Sequence, residues 1–399
     1  MIAISNLAAS VLPSATLAAG AKARQLRAAG VKVFDFSLGE PDFNTPAHIC
    51  AAAEKAMNTG QTHYTPANGT PELRKAVAAW YKRRYDFDCT PEMVLISNGA
   101  KHSIHNALAA TCNPGDEVII PTPYWVSYSD LVQMTGATYK LVATSVANRF
   151  KMTPEQFREA ITPQTRLVML NSPSNPTGSV YTRAELEALA DVCLEKKIGV
   201  ISDEIYEQLI YGDAKATCFA TLRPGLAEQT VTISGISKTY AMTGWRIGWA
   251  VGPKHVIKAM DTIQSQETSC PSSISQLATI AALEGDQTCV ESMRKEFEFR
   301  RDLVIRRLNE LPGIKCALPE GAFYAFFDVS SYFGKTLGGR AITDSTTFCA
   351  AALEVGHVNL VQGSAFGMEG YARLSFATSR ERINQGIDRL GAFLRGEIG

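Results

Sequence analysis

Short apolar runs recur through the middle of the chain, and amphipathic stretches fill most of the gaps between them. The runs are EMVLIS (92–97), DEVIIP (116–121), TRLVML (165–170), IGVISD (198–203), TVTISG (230–235) and RIGWAV (246–251). Their length and their β-branched content predict strands. Helical periodicity runs through AKHSIHNALAATC (100–112), TRAELEALADVCLEKK (182–197) and HVIKAMDTIQSQ (255–266). Strands that are apolar on both faces and alternate with helices specify a mostly parallel sheet sandwiched by helices, an α/β architecture. This pattern holds over 47–289. A long charged helical segment, 291–311, then breaks the rhythm. The runs KCALPEGAFYAFFDV and YARLSFA that follow read as strands of a smaller α+β unit. The helix predicted over 17–30 and the strand VKVFDFSL are expected to pack with that unit. The expected division is therefore an N-terminal arm (1–13), a large α/β domain (47–289) and a small α+β domain (14–46 with 290–399).

In open α/β sheets ligands bind beyond the carboxyl ends of strands, so the residues that follow each strand carry the chemistry. Ser97-Asn98-Gly99-Ala100-Lys101 follows one strand and opens a helix, where backbone N–H groups and the helix dipole suit a phosphate. NSPSNPTG (171–178) follows another strand, Asp203 ends a third, and Lys238 follows a fourth within SGISKTYAMTGWR. A lysine seldom settles among small hydroxylated residues without a task. The common nucleotide motifs are missing. GKT at 334–336 lacks the glycine five residues earlier that a P-loop needs, and no GxGxxG occurs. A phosphate nest, an acid, an amide and a lysine in one crevice point instead to pyridoxal phosphate held as a Schiff base.

Composition narrows the class without changing it. The 399 residues are 46% hydrophobic, and Lys+Arg equals Asp+Glu at 39 each, which gives no global pull toward nucleic acid or an anionic membrane. Nine scattered cysteines form no CxxC pair, and reduced thiols are expected. His102 and His105 lie three apart on a predicted helix but lack a third ligand, so no metal site is expected. MIAISNLAASVLPSAT has no basic leader and is not read as a signal peptide, so a cytoplasmic protein is expected.

Six motifs, LGEPDF, YTPANGTPELR, PYWVSY, NSPSNPTG, SDEIYE and SGISKTYAMTGWRIGW, together resemble the class I, fold-type I pyridoxal-phosphate-dependent aminotransferases. The likeness is strongest to bacterial aspartate aminotransferases of the shorter subgroup, and it covers nearly the whole chain. The resemblance implies a homodimer with both active sites at the interface, and a small domain that closes on amino-acid and 2-oxo-acid substrates. It matches Lys238 to the Schiff-base lysine and proton shuttle, and Asp203 to the acid facing the ring nitrogen. Asn175 and Tyr206 match the pair on the phenolic oxygen, and Trp125 the aromatic stacked on the ring. The phosphate is assigned to Gly99, Ala100, Lys101, Ser234, Ser237 and Arg246, with Tyr64 reaching the phosphate of the neighbouring subunit. Arg373 matches the clamp on the substrate α-carboxylate, with Gly39 beside it.

For the second carboxylate of the substrate, one branch of the family uses an arginine in the region corresponding to 263–273. None occurs there. Lys101 matches the lysine that another branch uses, and Ser14 and Thr16 resemble its polar N-terminal segment. Leu12 stands where some prephenate-active members have lysine. These features imply transamination between aspartate and 2-oxoglutarate. Aromatic amino acids, prephenate and alanine are the alternative substrates, and a lyase on the same cofactor is a further alternative. About a dozen residues precede PSAT, too few for the DNA-binding helices of a regulator.

Overall fold

The computed structural model describes residues 2–11 and 13–398. Seven strands build its main sheet: β1 (Val94–Ser97), β2 (Glu117–Thr122), β3 (Thr138–Ala143), β4 (Thr165–Asn171), β5 (Gly199–Asp203), β6 (Thr230–Gly235) and β7 (Gly248–Val251). Their order is β1-β7-β6-β5-β4-β2-β3. Pairing is parallel from β3 through β6, whereas β7 runs antiparallel to both of its neighbours. The sheet is thus mostly parallel with one reversed strand. Two antiparallel steps bring β1 back into the direction of β6. Ser97, Asn171, Asp203 and Gly235 therefore end on one edge, and Gly248 begins there, paired with both Ser97 and Gly235.

The strand β3 was not expected from the sequence. It is an edge strand paired only with β2, and Thr138, Leu141 and Ala143 are exposed along it, so no apolar run marks it. RIGWAV forms a strand only from Gly248, because Arg246 takes a left-handed conformation (φ 56°) that turns the chain into the sheet.

The helices follow the amphipathic stretches: Ala100–Thr111, Arg183–Lys196 and Lys254–Glu267. The Arg183–Lys196 helix starts at a capping box, in which the Thr182 side chain and Glu185 satisfy each other's backbone N–H groups. Separate apolar clusters cover the two faces of the sheet. One gathers Leu95, Ile104, Leu108, Ile120 and Met260, and the other Ile119, Phe157, Val168, Leu189 and Val200.

After the Thr288–Asn309 helix comes a second, smaller sheet. It holds β8 (Lys315–Cys316), β9 (Tyr324–Asp328), β10 (Val361–Gln362) and β11 (Tyr371–Ser375), all antiparallel, in the order β10-β11-β9-β8. The C-terminal helix Arg380–Leu394 packs Ile383, Ile387 and Leu390 into the same apolar cluster as Phe323, Phe327 and Leu374. Of VKVFDFSL only Phe34–Asp35 is paired, parallel to Val358–Asn359.

Candidate active site

The strand ends at one edge of the main sheet open into a cavity of about 460 Å³, within the usual span of small-molecule sites. Lys238, Asp203, Asn175, Tyr206, Trp125, Ser237, Ala100, Lys101, Arg246, Arg373 and Gly39 all line it. The main sheet supplies the floor, and β9 and β11 of the small sheet supply Tyr324 and Arg373 from the far side.

Lys238 sits on the one-turn helix Ile236–Thr239 directly after β6, and its Nζ donates to the carbonyl of Gly39 at 2.5 Å. Burial lowers its pKa to about 8. The Glu40 charge works against that shift, and the Arg246 charge reinforces it. A substantial fraction of neutral, nucleophilic amine therefore exists near pH 8.

Asp203, 5% exposed, ends β5. Its Oδ2 accepts from the Tyr128 hydroxyl at 2.5 Å and its Oδ1 from the Ile205 amide at 3.2 Å. Burial raises its pKa to about 6, with the two hydrogen bonds holding it down. A cation placed opposite would favour the carboxylate. Trp125 stands edge-on to the Tyr128 ring, with centroids 5.4 Å apart.

The opposite end of the cavity is cationic. Gly99 (φ 89°) caps the Ala100–Thr111 helix, whose first N–H groups have no intrahelical partner. A methyl group on Gly99 would overlap the Arg246 guanidinium, and one on Gly248 would overlap the Ala100 amide. The two backbone segments and the arginine thus form a tight cradle. Arg246 donates to the carbonyls of Thr243 (2.7 Å) and Asn98 (3.3 Å). Lys101 places its ammonium 4.9 Å from the centre of the Trp125 ring. Partial burial, then the Arg246 charge, lowers the Lys101 pKa. Two like charges are held close together around a cradle of free N–H groups, which is the arrangement a phosphate dianion stabilises.

Arg373, in the middle of β11, is 1% exposed. It donates to Asn175 Oδ1 at 2.9 Å and to the Ser37 carbonyl at 2.7 Å, while its Nε has no partner. Both partners are neutral, so a buried cation faces the cavity without an anion. Gly39 lies beside it, and a side chain there would start 2.7 Å from the Tyr324 hydroxyl.

Ser234 is corrected: it does not reach the cavity. It lies on β6 on the same side as Thr232, and its hydroxyl donates to the buried Glu207 at 2.9 and 3.1 Å. Strand alternation sends it away from the face that Lys238 enters. Tyr64 is 93% exposed and lies outside its own chain's cavity, in a surface depression with Cys270–Ile274. Ser14 and Thr16 share a hydrogen bond of 2.9 Å, and Thr16 lines the cavity. Leu12 lies outside the described residues. His102 and His105 both face Glu267, and among the described residues no cluster of metal-ligating side chains occurs. The cysteines are free. Among the described residues no helix is long and apolar enough to cross a membrane.

Sequence reasoning did not single out Tyr128 and Tyr324. Tyr324 stands in an apolar run and reads as core, and Tyr128 lies between serines, which mark no task. The one available sign for Tyr128 was its place in PYWVSY, three residues after Trp125.

A Schiff-base-competent lysine, a buried acid and a cationic cradle arranged around one cavity of this α/β fold define a pyridoxal-phosphate enzyme. The family model "Aminotransferase class I and II" matches residues 31–390, and the chain belongs to that family. It is therefore an aminotransferase, and its cofactor is pyridoxal 5'-phosphate. It is 48% identical to an aspartate/prephenate aminotransferase of Cereibacter sphaeroides, over 99% of this chain and all of that one. It is 47% identical to an aspartate aminotransferase of Geobacillus stearothermophilus, over 97% of each. Among solved structures, the Rhizobium meliloti aspartate aminotransferase superposes with a TM-score of 0.96 at 42% identity, with both chains fully covered.

Proposed function

We propose that this enzyme transfers the amino group of L-aspartate to 2-oxoglutarate in a ping-pong cycle, forming oxaloacetate and L-glutamate. The observation that carries the reading is the pair of anion sites flanking Lys238. One is the buried Arg373, which has neutral partners only and a free Nε, and the other is Lys101 at the cavity wall. A dicarboxylate that spans them would place its Cα near the lysine.

The bound cofactor supplies an electron sink for the pair released when the substrate Cα–H bond breaks. Lys238 Nζ holds the cofactor covalently at rest and then carries the proton away from Cα and back. Asp203, oriented by Tyr128, keeps the ring nitrogen protonated. Asn175 and Tyr206 would hold the phenolic oxygen, and Trp125 would stack on the ring. Ser237, Arg246 and the amides of Gly99, Ala100 and Lys101 grip the phosphate. Arg373 clamps the α-carboxylate as a planar fork, and Gly39 leaves room for it. Lys101 takes the distal carboxylate.

The exposed Tyr64 fits a homodimer in which it reaches the partner's phosphate. The division into an arm (1–13), a large domain (47–289) and a closing small domain (14–46, 290–399) goes with this reading, as does a cytoplasmic location.

A substrate panel of aspartate, glutamate, tyrosine, phenylalanine, alanine and prephenate, each with a suitable amino-group partner, tests it. Aspartate and glutamate should lead. Lys101→Ser should lower kcat/KM for the two dicarboxylates by about 30- to 150-fold more than for alanine or phenylalanine. An equal loss across the panel would move Lys101 to phosphate binding and make a broad-range enzyme the better reading.

A further inference from the structure

Tyr324 has no task in the scheme above, yet it touches three of its parts. It is 1% exposed on β9 and lines the cavity. Its hydroxyl lies 2.8 Å from that of Tyr206. The Arg373 guanidinium lies over its ring, 4.5 Å from the centroid. The hydroxyl also presses against the position that Gly39 leaves empty.

A phenol has one proton to donate and can accept through its oxygen. Within the Tyr206–Tyr324 pair one hydroxyl must donate to the other. If Tyr206 donated, its only proton would be spent, and it would offer the cavity lone pairs alone. If Tyr324 donates, Tyr206 keeps a proton for a ligand. Two charges decide the direction. The Arg373 cation over the Tyr324 ring stabilises electron density there and makes that phenol the stronger donor. The Arg373 charge reaches Tyr206 as well, but there the Asp203 carboxylate opposes it.

We infer that Tyr324 is a positioning residue: it donates to Tyr206, so that the Tyr206 proton points at the phenolic oxygen of the cofactor, and its ring seats Arg373. The inference rests on the reading of Tyr206 as the partner of that oxygen. It also ties the cofactor end of the cavity to the carboxylate end through one side chain.

The test is a spectrophotometric pH titration of the cofactor-loaded protein, which reads the pKa of the Lys238–cofactor linkage from its visible absorption. A hydrogen bond donated to the phenolic oxygen stabilises the anionic oxygen that remains when the linkage loses its proton, and so lowers that pKa. Tyr206→Phe should raise it by about one to two units. Tyr324→Phe keeps the ring and the volume, and should raise it in the same direction by about half a unit to one unit. The double variant should match Tyr206→Phe alone, since Tyr324 acts through Tyr206. The KM for aspartate should stay within about twofold in Tyr324→Phe and rise about tenfold in Tyr324→Leu, which removes the ring under Arg373. An unchanged pKa in Tyr324→Phe, with a shift in Tyr206→Phe, overturns the inference and leaves the Tyr206 reading standing. A shift in the double variant equal to the sum of the two single shifts also overturns it. No shift in Tyr206→Phe overturns the Tyr206 reading, and this inference with it.

Discussion

Replacing Arg373 by glutamine removes the charge at the end of the cavity proposed to take the α-carboxylate, while keeping a planar donor. In the free enzyme the guanidinium has two neutral acceptors, at 2.9 and 2.7 Å, and an unused Nε. Burial pushes its pKa down, and the nearby tyrosines oppose the shift only in part. The site therefore holds a desolvated cation that lacks an anion. A substrate carboxylate completes it with two charge-assisted hydrogen bonds, each worth about 1.5–3 kcal/mol. Part of that gain is offset by loosening the bonds to Asn175 and Ser37. The net loss in Arg373→Gln should be about 3–4 kcal/mol, or roughly 10²–10³ in kcat/KM for aspartate. Stability should respond differently, because removing an unpaired buried charge relieves its desolvation cost. The assay compares aspartate with its α-amide, which lacks the carboxylate. Arg373→Gln should narrow the gap between the two by the full factor, with a Tm close to that of the parent. An equal loss on both substrates, or wild-type kcat/KM on aspartate, would refute the reasoning.

Two further outcomes follow from the same geometry. Asp203→Asn should retain the fold and lower kcat by about 10²–10³, because a neutral amide no longer stabilises a protonated ring nitrogen; turnover near that of the parent would contradict the role. Capture of cofactor by the cofactor-free protein needs the neutral amine of Lys238, whose pKa is lowered to about 8. The neutral fraction grows as pH rises through that value, so the capture rate should increase about fivefold from pH 7 to 8 and level off above 9. A flat stopped-flow profile across that range would contradict the shift.

The sheet was legible because most of its strands are buried on both faces, and continuous apolar runs announce such strands. β3 escaped because Val142 is the one buried residue along this edge strand, so no continuous apolar run forms. The site was legible where chemistry sits just beyond a strand, as at Asp203 and Lys238. Tyr128 and Tyr324 were not, since nothing local tells a tyrosine of the site from one of the core until its hydroxyl finds a partner across the fold. The Tyr206–Tyr324 contact spans 118 positions of sequence, and no local pattern encodes it. Ser234 failed for the opposite reason. Its nearness to Lys238 in sequence suggested a shared site, whereas the period of two in β6 pairs it with Thr232 and Glu207.

The reversal of β7 has a further meaning. Because β6 leaves the sheet and β7 re-enters it at the same edge, the chain between them forms a closed bight anchored at Gly235 and Gly248. Lys238 and Arg246 ride on that one bight, near its two feet. On the proposed assignment, the covalent tether and the ionic grip on the same small molecule share a single span of chain whose ends are pinned side by side. The sheet pins the two feet like the jaws of a caliper, while Thr243 and Trp245 within the span bond to Glu40 and Thr45. In the proposed division, a small domain that swung over the cavity would carry Arg373 and Tyr324 with it, while the feet of the span stayed anchored in the main sheet.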